Sequence, residues 1–457
     1  MHFCELALFA WVPTVLLLFA VLPPRRAVIA AFVGGWLFLP VFGIDLKGIP
    51  PFSKVSASAY SVLLGAALFD GGRLLTFRPK WFDVPIVVWC FTPLASSVSN
   101  ELGVYDGLSA CLSEIVLWGI PYFLGRVYFN DWESIQELAI GVFIGGLIYM
   151  PLTWAEMRLS PQFHKWVYGF HQHSFAQTIR SGGYRPMVFM QHGIACAMWM
   201  TASAIVGVWL WTSGVLKQIY GIPTYVLAPM LALTAAMCHS AGALLLLIAG
   251  LGTFWWVRTF KNAVPLLALM LFIPAYITLR ASATWSGQNL VDFARSAVGE
   301  DRAASLQHRL DAENLLTQKA LQQPYFGWGR WNRNRVIDPD TNKDLAVTDG
   351  LWVIVLGTTG WVGLTAITLV ILLPSLLYWW RCPPRWWTHP MAAAGAAFAV
   401  LLPLHMIDNL WNAMLNPIYV LLVGAMMGLG ATAHRAMAQP AGGFPVVPRP
   451  MRQPVAA

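Results

Sequence analysis

Long apolar runs separated by short polar turns repeat along the chain from residue 5 to residue 431. A helix needs about 20 apolar residues to cross a hydrocarbon core of about 30 Å. On that measure thirteen spans are predicted, at 5–22, 27–44, 57–71, 82–99, 107–125, 135–155, 187–211, 222–238, 240–257, 262–279, 360–379, 391–407 and 412–431. Two runs exceed the thickness of a bilayer. Residues 222–257 are apolar apart from His239-Ser240; as one helix they would reach about 54 Å, so a break is predicted at His239. Residues 351–380 are also too long, and Gly357 and Gly360 offer a break. Residues 351–358 are therefore predicted as a short interfacial or re-entrant helix, with 360–379 as the span.

The expected fold is all-α: a polytopic helical membrane domain over 1–437 with about 13 transmembrane helices and one large extracytoplasmic loop. The tail, 438–457, is rich in Pro and Gly and is expected to be disordered and cytoplasmic. Composition agrees, with 57% apolar and only 11% charged residues in 457. A water-soluble chain of that length needs far more charge to coat its surface. A membrane β-barrel would show alternation in segments of about ten residues, which these unbroken runs are not. The first run lacks a basic leader, so it is expected to be a permanent span. Six cysteines lie in or beside apolar runs without paired spacing and read as small core residues.

Basic residues decide the orientation. Arg25 and Arg26, Arg73, Arg78 and Lys80, Arg126, Lys217, Arg258 and Lys261, Arg381 and Arg385, and Arg435 all fall in alternate connections. The positive-inside rule assigns that side to the cytoplasm. The N-terminus and two longer loops, 156–186 and 280–346, are then expected outside.

Loop 156–186 sets Arg158, Lys165, Arg180 and Arg185 against the single acid Glu156. Guanidinium groups at a membrane border suit a diphosphate, which they grip with paired hydrogen bonds. Long loops also escape the charge rule, and on that reading these are solvated surface residues. His171-Gln172-His173 lacks a third ligand class, so no metal site is assigned. Loop 280–346 is balanced, with eight basic and eight acidic residues between Ala281 and Val347, which excludes a nucleic-acid surface. Leu306, Leu310 and Ala320 recur at helical spacing, with Arg309 and Glu313 off that stripe. This predicts amphipathic helices lying over the membrane face, ended by a turn at Gln323-Pro324-Tyr325-Phe326-Gly327-Trp328-Gly329.

Asp349 stands beside the outer end of a long apolar run, where a partly desolvated carboxylate becomes a better proton acceptor. Thr348 or Asp349 also has the look of a helix N-cap. Among polar residues in or near spans, His192, His239, His405 and Asp408 stand out, because such groups are costly in lipid and often functional. Glu114, inside the fifth span, is expected to face other helices. The loop aromatics Trp285, Tyr325, Trp328 and Trp331 suit stacking on sugars or packing at the lipid boundary.

These motifs resemble those of the O-antigen ligase and O-antigen polymerase superfamily. Arg309 followed by Pro324-Tyr325-Phe326-Gly327-Trp328-Gly329 is similar to that family's Arg, helix, Pro-x-x-Gly-x-Gly segment. Asp349-Gly350, nine residues and Gly360-x-x-Gly363 resemble the ligase signature, with Asp where the ligase has His. Arg180 to Pro186 resembles the other Arg-bearing outer loop, and Ser240-Ala241-Gly242-Ala243 a Ser-Arg-Gly-Ala segment lacking its Arg. The resemblance implies transfer of an undecaprenyl diphosphate-linked glycan to a lipid or glycan acceptor hydroxyl, on the outer face of a bacterial inner membrane, without a metal or other cofactor. It implies Arg309, Arg185 and Arg180 as diphosphate ligands, Asp349 as base or acceptor-positioning group, and Gly327, Gly329, Gly360 and Gly363 as motif glycines. The Asp-for-His difference favours a polymerase or ligase of a surface or secreted polysaccharide. A transporter or flippase for a lipid-linked sugar is the alternative, but it calls for internal repeats and mid-membrane charges that the chain does not display.

Overall fold

In a computed structural model, residues 3–46, 50–180, 182–338, 340–341, 343–346 and 349–437 are described. The tail 438–457 lies outside them. The first six helices are α1 (Phe3–Val21), α2 (Pro24–Phe38), α3 (Lys54–Leu74), α4 (Val84–Ser99), α5 (Val104–Glu114) and α6 (Ile120–Tyr128), the last two joined by a π turn over Ile115–Gly119. There follow α7 (Trp132–Leu159), the short α8 (Phe163–Tyr168), α9 (Gly193–Thr212), α10 (Thr224–Met237), α11 (Ala241–Phe260) and α12 (Val264–Ala281). Helices α13 (Gln288–Val298) and α14 (Glu300–Ala320) occupy the large polar loop, before α15 (Leu351–Arg381), α16 (Pro390–Trp411) and α17 (Pro417–Met437). Sheet among the described residues is limited to three antiparallel pairs of two-residue strands.

Nine helices among the described residues, counting α5–α6 as one, are long and apolar enough to cross a bilayer. The chain is therefore an all-α, multi-pass membrane protein. Nine is fewer than the thirteen expected. Helices α2, α3, α10 and α17 form at the anticipated places, but α2 has 15 residues and α10 has 14. Helix α3 carries Lys54, Asp70 and Arg73. The centre of the bundle is α9 and α16, with 94% and 89% of their apolar windows buried against 22% for α1. Alanine and glycine over residues 392–397 of α16 let neighbouring helices approach closely there.

Both expected breaks exist, in different forms. His239 adopts φ 50° between α10 and α11, a left-handed backbone that ends one helix before the next begins. The break at Gly360 falls where the sequence offered one. The segment labelled α15, Leu351–Arg381, is two helical stretches joined across a kink at Gly360, which is itself non-helical at φ 65° and ψ −164°. Such a kink strands amides and carbonyls at membrane depth, where water cannot satisfy them. The 323–329 turn satisfies them instead. Trp361 and Val362 amides donate to the Pro324 and Tyr325 carbonyls, at 2.8 and 3.2 Å. In return, Trp328 and Gly329 amides donate to the Gly357 and Thr358 carbonyls, at 2.8 and 3.1 Å. From α4, Ser96 Oγ donates to the Thr358 carbonyl and Asn100 Nδ2 to that of Gly327. Two of the four motif glycines serve backbone approach: a Cβ on Gly327 would sit 2.5 Å from the Thr358 carbonyl carbon, and one on Gly360 would strike the Tyr325 carbonyl, whereas Gly329 and Gly363 lie against side chains.

The stripe on α14 packs inward rather than onto a lipid surface. Leu310 is buried with Val291 of α13 and Ala303, and Leu316 and Ala320 join the main core.

Gly360→Ala should destabilise the fold by about 2 kcal/mol or more, since positive φ and the clash add. Gly242→Ala, where a Cβ meets nothing within 4 Å, should stay within about 0.5 kcal/mol of wild type. Thermal unfolding in detergent reads both; equal midpoints would remove the role given to the kink.

Candidate functional site

The crevice at one end of the bundle starts from a buried ion pair. Arg280, at the end of α12, donates from Nε to Glu313 of α14 at 3.0 Å, with side chains only 2% and 5% exposed. Its Nη2 donates to the Leu310 carbonyl, and Nη1 to those of Trp285 and Ser286. Glu313 also accepts from Tyr276 Oη at 2.9 Å and Trp352 Nε1 at 3.2 Å, while Tyr276 Oη accepts from Trp411 Nε1. One carboxylate thereby fastens α12, α14, α15 and α16 together.

That clamp fixes Arg309 one turn before Glu313, with Nε 3.9 Å from Asp349 Oδ2. The two side chains, 30% and 45% exposed, face a crevice also lined by Glu313, Gly350, Val353 and Trp411. Its volume of about 10 Å³ holds one water-sized group. One expectation about Asp349 is corrected. It is not the N-cap: Gly350 holds that position without a side-chain bond, and Thr348 lies outside the described residues. Its side chain is 45% exposed, so the carboxylate is partly covered, as expected.

The 156–186 loop approaches from the other side. Glu156, buried near the end of α7, accepts from the amides of Phe163, Met187 and Val188, so both ends of the loop are tied to one carboxylate. Between them, Ile179–Arg180 pairs with Gly183–Tyr184. Gly183 lies against the His239 ring, and Arg185, buried, donates from Nε and Nη2 to the His239 carbonyl at 3.2 and 3.0 Å. The Nε of Arg180 has no hydrogen-bond partner among the described residues.

His192 reports where these charges converge. The span it was assigned to begins at Gly193, and His192 precedes it as the N-cap, its Nδ1 accepting from the Ile194 amide at 3.0 Å. Its ring lies 4.7 Å from that of His173. Burial, then the charges of His173, Arg185, Arg309 and Arg180, push its pKa down to about 3. All three arginines singled out in the sequence therefore act on one imidazole. Asp408 of α16, held by Asn412 Nδ2 at 3.0 Å, also lies in the field of Arg309.

Other expectations divide. Glu114 pairs not with another helix but with Arg330 of the large loop, beside the π turn. Arg333 of the same loop pairs with Asp106 at 3.1 Å. Trp328 is held by its Nε1 to the Lys319 carbonyl, whereas Tyr325 and Trp331 are exposed. His405 is stacked on Tyr419 in the core, away from the crevice. Among the described residues, no three of His, Cys, Asp or Glu meet as a metal site. Arg280 was missed, its only sequence signal a charge at the edge of an apolar run, and Glu313 and Glu156 were noted without the joining role they have here. No family model matches the chain, and no curated protein matches it significantly.

Arg280→Met should leave Glu313 as an uncompensated buried charge and cost about 3–5 kcal/mol. Faster hydrogen exchange over 300–320 would accompany it; unchanged exchange would show that the clamp does not hold α14.

The folded protein keeps His192 neutral down to about pH 3, whereas an unfolded histidine takes its proton near 6.5. Its stabilisation is complete above that ordinary value and is lost as pH falls toward 3, by about 2 kcal/mol at pH 5. His192→Asn keeps a capping acceptor and should lose correspondingly less thermal stability between pH 7 and 5. Identical losses in variant and wild type would assign the acid sensitivity elsewhere.

Proposed function

We propose that this protein is a membrane-embedded glycosyltransferase of the O-antigen polymerase and ligase type. It transfers a glycan from undecaprenyl diphosphate to an acceptor hydroxyl, at the extracytoplasmic face of a bacterial inner membrane. The observation that carries this reading is the meeting of Arg309 with Asp349 at one end of an apolar bundle, under the same positive field as Arg180 and Arg185.

The chemistry follows from the charges. When the bond between the sugar's anomeric carbon and the diphosphate breaks, negative charge grows on the departing oxygens. Guanidinium groups already in position stabilise that charge without reorganising. The new bond forms from the acceptor oxygen, whose proton passes to the Asp349 carboxylate and then to water. A crevice with room for one water-sized group suits the reacting hydroxyl. The sugars stay on the open side, and the polyprenyl tail stays in lipid. Arg180 and Arg309 are the groups to engage the diphosphate directly, while Arg185, bonded to the His239 carbonyl, serves as a fixed charge. The Asp in place of the ligase His favours chain extension of a surface or secreted polysaccharide over attachment to lipid A-core.

Purified protein in liposomes, given an undecaprenyl diphosphate-linked repeat unit, tests the reading. Longer chains indicate a polymerase and transfer to an added acceptor a ligase; unchanged donor crossing the bilayer would overturn the proposal in favour of a flippase. Asp349→Asn and Arg309→Gln should each lower turnover by about 100-fold or more at an unchanged thermal midpoint. Wild-type turnover in either variant would sink its assigned role.

A further inference from the structure

The opposite end of the bundle has a cavity of its own. It lies between the α3–α4 turn, the end of α6 and α17, has a volume of about 170 Å³, and is lined by Phe77, Arg78, Lys80, Arg126 and Val127 among others. Arg126 is the rigid floor. It donates from Nε and Nη2 to Asp83, at 2.9 and 3.2 Å, and its guanidinium lies 4.9 Å from the centre of the Phe82 ring. Tyr122 Oη donates to the same carboxylate. Asp83 is thus already engaged.

Arg78 and Lys80 are different. Both are exposed, and neither has a carboxylate partner among the described residues. Their neighbours at this end are paired, Arg25 with Asp131 and Arg73 with Asp70. Two cations without a carboxylate partner among the described residues therefore face one cavity beside the Arg126–Asp83 pair. The edge of the cavity is apolar and open: Leu75 is 81% exposed and Trp81 63% exposed on the same turn. A soluble anion would use the cations but leave Leu75 and Trp81 in water. A phospholipid uses both, its phosphate in the basic cavity and its acyl chains over the apolar edge, with a tryptophan at headgroup height.

We infer that the α3–α4 turn and the end of α6 form a binding site for the phosphodiester headgroup of an anionic phospholipid. The site is remote from the glycan-transfer crevice and does not depend on that reading.

Native mass spectrometry of the full-length protein released from detergent tests it, with phosphatidylglycerol and phosphatidylcholine as probes. Wild type should retain phosphatidylglycerol in preference to phosphatidylcholine. The Arg78→Gln/Lys80→Gln variant should retain it at least about 10-fold less, since each basic residue contributes about 1 kcal/mol near an anionic headgroup. Arg258→Gln/Lys261→Gln, which removes two charges from another turn, should retain it as wild type does. Equal retention in both double variants, or equal retention of phosphatidylcholine, would overturn the site. Displacement of the lipid by inorganic phosphate would overturn the lipid assignment in favour of a soluble anion. If the first double variant loses its fold, Arg78→Lys/Lys80→Arg and Arg78→Gln carry the test: the charge-preserving pair must retain the lipid and the single variant must lose it.

Discussion

The exchange of backbone hydrogen bonds between the 324–329 turn and the kink at Gly360 is the constraint on which the site depends. A helix interrupted inside a bilayer must find partners for its freed amides and carbonyls within the protein. Here it finds them in a loop distant in sequence, so the loop is locked to α15 residue by residue. Helix α14, which leads directly into that turn, inherits the registration, and Arg309 with it. Ser96 and Asn100 add a second anchor from α4. The turn and the kink thus act through backbone geometry alone, and they decide where Arg309 stands.

The ion pairs at the two ends of the Arg309–Glu313 turn have opposite characters. Arg280–Glu313 is sealed and fully bonded, and removing either partner would strand a charge. Arg309–Asp349 is long, at 3.9 Å, and partly exposed, a pair worth no more than about 1 kcal/mol. A weak pair is what a binding site needs. On the proposed reading, an incoming phosphate would take Arg309 from Asp349 at little cost and leave the carboxylate to accept a proton. The strong pair holds the helix so that the weak one can exchange.

How much of this was legible in the residues varies with the kind of information. Apolar run length was sufficient to place the break at His239, because no bilayer accommodates the uninterrupted helix. Position beside apolar runs and the resemblance of the motifs brought Arg309, Arg180, Arg185 and Asp349 forward, and the fold sets their charges around one region. Partners were not legible. Periodicity tells which face of a helix is apolar but not what meets it, so Arg280 with Glu313, and Arg330 with Glu114, could not be paired in advance. Glu114 was assigned to a helix neighbour on its position alone; the loop that carries Arg330 folds back over it instead. Asp349 looked like a cap because an acid before an apolar run usually is one. The capping position falls one residue later, on Gly350, and leaves the carboxylate to face Arg309.

The choice of partner also separates arginines that build from arginines that act. Arg280 and Arg126 are buried against carboxylates, which cancel their charge and leave rigid, neutral joints. Arg185 is as deeply buried, but it donates to the carbonyl of His239, an oxygen with only partial charge. A carbonyl orients a guanidinium without neutralising it. The consequence is visible at His192, where the positive charges of Arg185, Arg309 and Arg180 reinforce burial in keeping the imidazole neutral. The same field that refuses a proton to His192 would draw in a diphosphate. The left-handed backbone at His239 matters for that reason: it ends α10 and turns a carbonyl toward Arg185, which holds the guanidinium in place.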